Sequence, residues 1–314
     1  MRNLHKILFF LSGTVLFLSS CDKVDNPYEK VTSTTLDASL YPNGTWDDYL
    51  ENEYPTFTQN NNTNVNVLIE DFTGHKCTNC PPAADLAHSI HVSNPNRVFV
   101  ASIHAGPGNN IFQKHYPNDT EYYTDHTNTD GTTYGEKFKQ GYNFFGNPQG
   151  TVNRKTINGE LFAFTGTWQS RTTDILNAND LKVNIQSAFN YYQETNGGFL
   201  HVEIEKKTSD AIEMNVVVYV IEDSLVDWQL MPSGTLPPDN EFYVHRDKHL
   251  GSIDNNPFGL KAFDADASAG DKIILDYSYK LPAGLDKTNM HFLIYVYDKD
   301  TYEILQVIKQ KVEE

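Results

Sequence analysis

The chain has 314 residues, of which 41 are acidic and 24 are Lys or Arg, so its formal net charge is −17 at pH 7. Aromatic residues make up 12% and charged residues 21%, a composition that favours folded domains over disorder. Basic residues form no run after residue 6, which argues against nucleic acid as a partner. Three cysteines, Cys21, Cys77 and Cys80, are too few for a disulfide-dense scaffold or a zinc ribbon with two cysteine pairs.

The first twenty residues have the pattern of an export signal. Residues 1–20 combine a basic start, an apolar stretch that is short for a membrane span, and small residues before Cys21. The run Leu18-Ser19-Ser20-Cys21 resembles a bacterial lipobox, in which the cysteine is acylated and becomes the mature N-terminus. A plain cleaved signal with a free thiol is the alternative. The sequence therefore predicts a membrane partner through a lipid on Cys21, and an oxidising compartment.

The segment that follows predicts a flexible tether over residues 21–63. It contains three prolines, an Asn-Gly pair and a polar tract at 59–63, and few apolar residues. Some of its larger side chains can still dock on a folded part of the protein, namely Tyr41, Trp46, Tyr49, Leu50 and Tyr54.

A strand, a pair of cysteines and a helix come next. Residues 65–72 are rich in β-branched side chains and predict a strand buried on both faces. The pattern at 83–90 predicts a helix with one apolar face. Cys77 and Cys80 lie between the two, as Cys-Thr-Asn-Cys.

A cysteine at the start of a helix is reactive by position. The first N–H groups of a helix have no intrahelical partners and favour negative charge, so Cys77 is the candidate nucleophile. Cys80, one turn further on, is the candidate resolving thiol. His75 and Lys76 are the candidates for tuning the thiolate.

The chain continues with a strand at 97–104, a polar insertion at 106–133 and a short helix at 134–142. The run Gly146-Asn147-Pro148 precedes a short strand and resembles the thioredoxin cis-proline loop, which lies against the cysteine pair and presents backbone groups to a bound chain. Pro148 is therefore a candidate site residue.

Asn158-Gly159 predicts a hairpin turn between strands at 151–157 and 160–164. A closing helix is predicted at 167–176, with Thr167 as its cap. The order of these elements resembles the thioredoxin core, so we expect an α/β thioredoxin-like domain over residues 64–180.

Beyond this point the pattern changes to strands alone. The sequence predicts an all-β sandwich, of immunoglobulin-like type, over residues 181–314. Its strands are expected at 183–189, 199–205, 212–221, 272–279, 291–297 and 304–312. A long connection at 223–270 carries His245 and His249, four residues apart, but no further ligand is patterned with them, and surface histidines are the alternative to a metal site.

The chain as a whole resembles the 28-kDa outer-membrane-protein family of Bacteroidetes lipoproteins. The segments that carry the resemblance are residues 70–81, 147–154, 243–245 and 302–306. The resemblance implies a lipid-anchored cell-envelope protein, located at the outer membrane, with a thioredoxin-like domain.

Three functional hypotheses follow. The first is a thiol-disulfide oxidoreductase acting on exported proteins, in which Cys77 attacks, Cys80 resolves and Pro148 orients the partner chain; whether it oxidises or reduces stays open. The second is a surface-binding or adhesion lipoprotein with a structural Cys77–Cys80 disulfide. Its contact surfaces would be the β-sandwich and the aromatic residues Tyr116, Tyr122, Tyr123, His126 and Tyr134.

The third hypothesis is a metal site formed by Cys77 and Cys80 with His75 and His104. An exported cysteine pair is more often oxidised, so we expect no metal at this pair. We expect no cofactor.

Overall fold

The computed structural model describes residues 29–32, 36–108 and 111–312, and strands make up most of its regular secondary structure. The predicted signal at 1–20 and the predicted lipid attachment site, Cys21, lie outside the described residues. None of the described helices is both long and apolar enough to cross a membrane. In chain order the elements are β1 (Glu29–Thr32), α1 (Trp46–Asn52), β2 (Val67–Thr73), α2 (Cys80–Ser93), β3 (Val98–His104), α3 (Thr129–Phe138), β4 (Gln149–Val152), α4 (Trp168–Ala178), β5 (Val183–Tyr192), β6 (Gly197–Lys206), β7 (Met214–Glu222), β8 (Leu225–Leu230), β9 (Asp239–His245), β10 (Lys248–Ser252), β11 (Leu260–Phe263), β12 (Lys272–Lys280), β13 (Met290–Asp298) and β14 (Ile304–Lys311).

One large sheet runs through both halves of the chain. Its strand order is β14-β13-β7-β10-β3-β2-β4, and β11 pairs with β7 beside this path. β2 and β3 are parallel, with Thr73 opposite His104, whereas β4 is antiparallel to β2. β10 joins the two halves because it pairs with β7 on one side and, through Lys248 and Ser102, with β3 on the other. The domain boundary predicted at residue 180 falls between α4 and β5, but the sheet continues across it.

A second sheet, of order β1-β12-β6-β5, packs over the β7, β13 and β14 end of the large sheet. Successive side chains of a strand point to opposite faces, and β7 shows this alternation directly. Val216, Val218 and Val220 face the core between the sheets, while Val217 and Tyr219 belong to the core on the other face. That other core continues under α3 as far as β2 and β3.

Two helices cover the opposite face of β2 and β3. In α2, Ala83, Ala87 and Ile90 share one side of the helix and are buried against that face. In α4, Trp168 and Ile175 do the same. Both helices form where the sequence predicts them, because the spacing of apolar residues specifies them locally.

Part of the predicted tether is packed against the second sheet. α1 begins after Thr45, whose side chain forms a capping box with Asp48. Tyr49 is fully buried, and its hydroxyl lies against Nε2 of His201, whose Nδ1 is 2.7 Å from Oδ1 of Asp276. Tyr41 is buried beside it. Leu40 and the residues after it therefore pack against the second sheet, and β1 already pairs with β12, so the packed part of the chain begins well before residue 64.

A buried network around one ion pair connects the β2–β4 end of the large sheet with β7 and β13. Glu70 in β2 and Arg154 after β4 are both fully buried and form two hydrogen bonds, of 2.8 and 2.7 Å. The hydroxyls of Tyr219 in β7 and Tyr295 in β13 complete the network. Burial opposes ionisation of Glu70, but Arg154 offsets it and lowers the pKa of the carboxyl below its ordinary value.

Several predicted elements differ in detail. The six predicted C-terminal strands are present, but the connection at 223–270, predicted as a loop, contains β8, β9, β10 and β11. The helix predicted at 134–142 begins earlier, at Thr129, because the side chain of Asn128 accepts a hydrogen bond from Gly131 and caps it. The turn at Asn158-Gly159 forms, and two isolated bridges, Ile157–Glu160 and Gly150–Ala163, connect the segments beside it in place of the continuous strands predicted there.

Candidate functional site

The cysteine pair lies at the junction between β2 and α2. β2 ends at Thr73, Cys77 and Cys80 are joined by a disulfide, and Cys80 is the first residue of α2. Two prolines follow it in the first turn, where a missing N–H costs nothing. The sequence predicts Cys77 at the start of this helix and Cys80 one turn inside it; in the structure the helix starts at Cys80, and Cys77 is placed just outside its N-terminus. Asn79 occupies the capping position, but its side chain makes no capping hydrogen bond.

Both sulfur-bearing residues are buried, which the sequence pattern did not indicate. Cys77 and Cys80 are each only 1% exposed. The hairpin formed by β8 and β9 contacts the loop that carries them: Nε2 of Gln229 donates to the carbonyl of Cys77 at 3.2 Å, and the Leu230 amide donates to the carbonyl of His75 at 2.8 Å. This hairpin comes from the connection predicted as a loop.

The proline loop lies beside the start of α2. The Asn147–Pro148 peptide bond is cis, and the side chain of Asn147 donates to the carbonyl of Ala105 at 2.8 Å. A groove of about 540 Å³ runs between this loop and α2. Phe145 and Phe164 line it and are 73% and 66% exposed. The groove is therefore partly apolar and open to an extended chain.

A buried carboxyl on β2 was not among the predicted site residues, because the sequence pattern marks Asp71 only as part of a strand. Its side chain is fully buried, and neither oxygen has a hydrogen-bond partner among the described residues. Ile69, two residues earlier, faces α2, so Asp71 lies on the α2 side of the sheet. Burial raises the pKa of Asp71 to about 7. One sequence feature could have identified Asp71 as a site residue: it is a carboxylate inside a strand that is predicted to be buried on both faces.

The two residues predicted to tune the thiolate have other contacts. Burial lowers the pKa of His75 to about 4, although its hydrogen bond to the carbonyl of Lys114 acts in the opposite direction. The ring is therefore uncharged at neutral pH and supplies no positive charge to a neighbouring sulfur. The ammonium of Lys76 lies over the ring of Tyr122, 3.8 Å from its centre. Its effect on Cys77 stays a prediction.

The structure separates His245 from His249, the two histidines that the sequence places four residues apart. The ring of His245 lies next to those of His104 and His126, whereas His249 packs against Tyr219. Within the described ranges, no three histidine, cysteine or acidic side chains form a group that could hold a metal ion as they are placed.

The aromatic residues predicted to form a contact surface are mostly inside the protein. Tyr122, His126 and Tyr134 are buried, because the insertion folds back over β3 and the β8–β9 hairpin. Tyr123 is exposed. The expectation that these side chains form one contact surface is therefore wrong for the three buried ones.

Comparisons with known proteins place the chain in a family. A solved structure, HBP35 of Porphyromonas gingivalis, is similar in fold: it is 14% identical, with a TM-score of 0.59, and the match covers 80% of this chain and 76% of that one. A domain of the outer membrane lipoprotein Omp28 from Porphyromonas gingivalis is 18% identical, with a TM-score of 0.27, and the match covers 42% of this chain and 89% of that one. No curated protein matches the chain. The family described as outer membrane protein Omp28 matches residues 135–314, more than half of the sequence, and the chain belongs to this family.

Proposed function

We propose that this protein is a lipid-anchored lipoprotein of the outer membrane that performs thiol-disulfide exchange with exported proteins. In this proposal Cys21 carries the lipid, residues 64–180 form a thioredoxin-like domain, and residues 181–314 form an immunoglobulin-like sandwich. Membership of the Omp28 family supports the location. The succession of β2, disulfide, α2, β3 and cis-proline loop supports the chemistry.

The observation that carries the proposal is the buried carboxyl of Asp71, which has no hydrogen-bond partner within residues 29–32, 36–108 and 111–312. A buried carboxyl without hydrogen bonds destabilises the fold. A purely structural disulfide exchanges no protons, so it gives no reason for such a carboxyl to be present. Asp71 lies on the side of the sheet that α2 covers, and Cys80 is the first residue of α2. A pKa of about 7 for Asp71 suits a group that exchanges protons at neutral pH. Asp71 is therefore assigned as the proton acceptor for the Cys80 thiol.

The exchange runs in two steps. In the reduced protein, the Cys77 thiolate attacks one sulfur of a partner disulfide, a mixed disulfide forms, and one partner thiolate leaves. The Cys80 thiol then gives its proton to Asp71, and the resulting thiolate attacks the sulfur of Cys77. The Cys77–Cys80 disulfide forms, the second partner thiolate leaves, and the partner has gained two electrons. Oxidation of a partner dithiol is the same sequence in reverse.

The groove beside the site supplies the place for the partner chain. Pro148 and the start of α2 line it, and Phe145 and Phe164 add exposed apolar surface. Cys77 is 1% exposed, so in this proposal a covering segment moves before a partner sulfur reaches it; the β8–β9 hairpin, which is hydrogen-bonded to the carbonyl of Cys77, is the proposed segment.

Trapping tests the proposal. In a Cys80→Ser variant the second step cannot occur, so mixed disulfides between Cys77 and exported proteins should accumulate on non-reducing gels. The matched control is Cys77→Ser, which should trap none by this route. The reduction potential of the wild-type pair should lie above about −300 mV, the region below which structural disulfides are found. A lower potential together with no trapped partner contradicts the proposal.

A second candidate function is supported by the burial of both cysteines. A disulfide that is 1% exposed at each residue and covered by a hairpin is also what a surface-binding lipoprotein with a structural disulfide would have. In that case the Cys77→Ala, Cys80→Ala double variant should bind the cell-surface or glycan ligand as the wild type does, and no mixed disulfide should form. Loss of exchange together with unchanged ligand binding would favour this candidate.

A further inference from the structure

Four buried histidines from four separate segments meet next to the disulfide. His75 follows β2, His104 ends β3, His126 precedes α3 and His245 ends β9. The ring centres of His104 and His245 are each 4.9 Å from that of His126 and 5.4 Å from each other. The ring of His75 is 5.1 Å from that of His126. His104, His126 and His245 thus form a nearly equilateral triangle, with His75 beside it.

The ring nitrogens of this cluster are short of partners. Both nitrogens of His104 and both nitrogens of His126 lack a hydrogen-bond partner among the described residues. A buried polar group without partners requires an explanation.

The remaining contacts of the rings have the pattern of an outer coordination shell. Histidines that bind a metal through one nitrogen almost always direct the other towards a carboxylate or a backbone carbonyl. Nε2 of His126 lies 3.3 Å from Oδ2 of Asp227, and Nε2 of His245 lies 3.3 Å from the carbonyl of Trp228. In both residues this leaves Nδ1 for a ligand.

The spacing of the rings agrees with a shared ion. A zinc–nitrogen bond of about 2.0–2.1 Å, plus about 1.1 Å from nitrogen to ring centre, sets ring centres about 5 Å apart around a tetrahedral ion. The three separations in the triangle, 4.9, 4.9 and 5.4 Å, match this value. In the positions that the described side chains occupy, no group of three histidine, cysteine or acidic residues could hold a metal ion, so binding requires these rings to turn. Rotation of each ring about its Cβ–Cγ bond redirects the nitrogens while the ring centre stays almost in place.

We propose that His104, His126 and His245 bind a divalent transition-metal ion such as Zn²⁺, with a fourth position directed towards His75. Imidazole nitrogens suit ions of this class. The proposal does not depend on the thiol-disulfide exchange proposed above. It also differs from a site made of the cysteine pair with His75 and His104, because Cys77 and Cys80 are joined to each other.

The surroundings provide access and charge. A cavity of about 760 Å³ reaches His104, and the carboxylates of Asp125 and Glu136 line it, which gives a cation a route to the rings. The positive charge of Lys248 on β10 acts on His104, and the carboxylate of Asp227 lies 3.3 Å from Nε2 of His126.

Metal binding is measured on the full chain in detergent, without reductant, so that both cysteines remain in the disulfide. After removal of metal with a chelator, Zn²⁺ is titrated against a chromogenic competitor, and bound metal is counted by elemental analysis after dialysis. One Zn²⁺ per chain is expected, together with a rise of the thermal unfolding midpoint on adding Zn²⁺. Retention of clearly less than one ion per chain overturns the proposal.

Variants assign the ligands. His126→Gln and His245→Gln should each weaken Zn²⁺ binding by about tenfold or more. His88→Gln, on α2 and outside the cluster, is the matched control and should bind as the wild type does. Unchanged binding in both cluster variants overturns the assignment. If either variant fails to fold, nitrogen hyperfine coupling in the electron paramagnetic resonance spectrum of the Cu²⁺-loaded wild type decides, and its absence overturns the proposal.

Discussion

Asp71→Asn should change how the stability of the protein depends on pH. Burial raises the pKa of Asp71 from 3.8 to about 7, so the folded state binds a proton that the unfolded state has released between these two values. The folded state is then favoured at low pH, and stability falls as pH rises from about 4 through about 7. A shift of three units corresponds to about 4 kcal/mol, since each unit is worth about 1.4 kcal/mol.

The assay is urea unfolding of wild type and variant at several pH values from about 4 to 8.5, with the disulfide intact and a chelator present. The amide introduced by Asp71→Asn is neutral throughout, so the stability of the variant relative to wild type should increase by up to about 4 kcal/mol from the acidic to the alkaline end. Other buried acids, such as Asp247, act equally in both proteins and cancel in the difference.

Asp300→Asn, in the exposed turn between β13 and β14, is the matched control and should follow the wild-type profile. Parallel profiles for wild type and Asp71→Asn over the whole range would refute the reasoning, because they would mean that Asp71 is solvated or hydrogen-bonded in the folded protein.

Three further predictions concern the buried contacts. Arg154→Met leaves Glu70 as an uncompensated buried charge and should lower the free energy of unfolding in urea at pH 7 by about 3–5 kcal/mol. The double variant with Glu70→Gln should recover part of this loss. Full stability of the single variant would contradict the prediction. Gln229→Ala removes the hydrogen bond from the β8–β9 hairpin to Cys77 and should speed reduction of the disulfide by dithiothreitol, measured by alkylation of the released thiols. An unchanged rate would mean that the hairpin does not limit access of the reductant to the disulfide. Tyr49→Phe removes a buried hydroxyl contact with His201 and should cost about 1 kcal/mol in urea unfolding; no change would show that this contact does not hold α1 in place.

The elements nearest the candidate site could be predicted from the sequence because their signals are local. The apolar spacing of Ala83, Ala87 and Ile90 specifies α2, and the β-branched run before it specifies β2. Together they place Cys77 and Cys80 between a strand and a helix without any knowledge of the rest of the chain. Membership of the Omp28 family was likewise evident from sequence motifs and is confirmed.

Only the tertiary structure decided what surrounds those elements. Gln229 contacts Cys77 across 152 positions of the chain, and β10 joins β3 to β7 across the predicted domain boundary. The histidine triangle likewise combines residues from three distant segments. Periodicity reports which face of an element is apolar, but it carries no information on which distant element covers that face. The sequence by itself therefore determined where the cysteine pair lies, while long-range packing decided that the pair is buried, that an unpaired carboxyl lies on the α2 side of the sheet, and that histidines gather beside it.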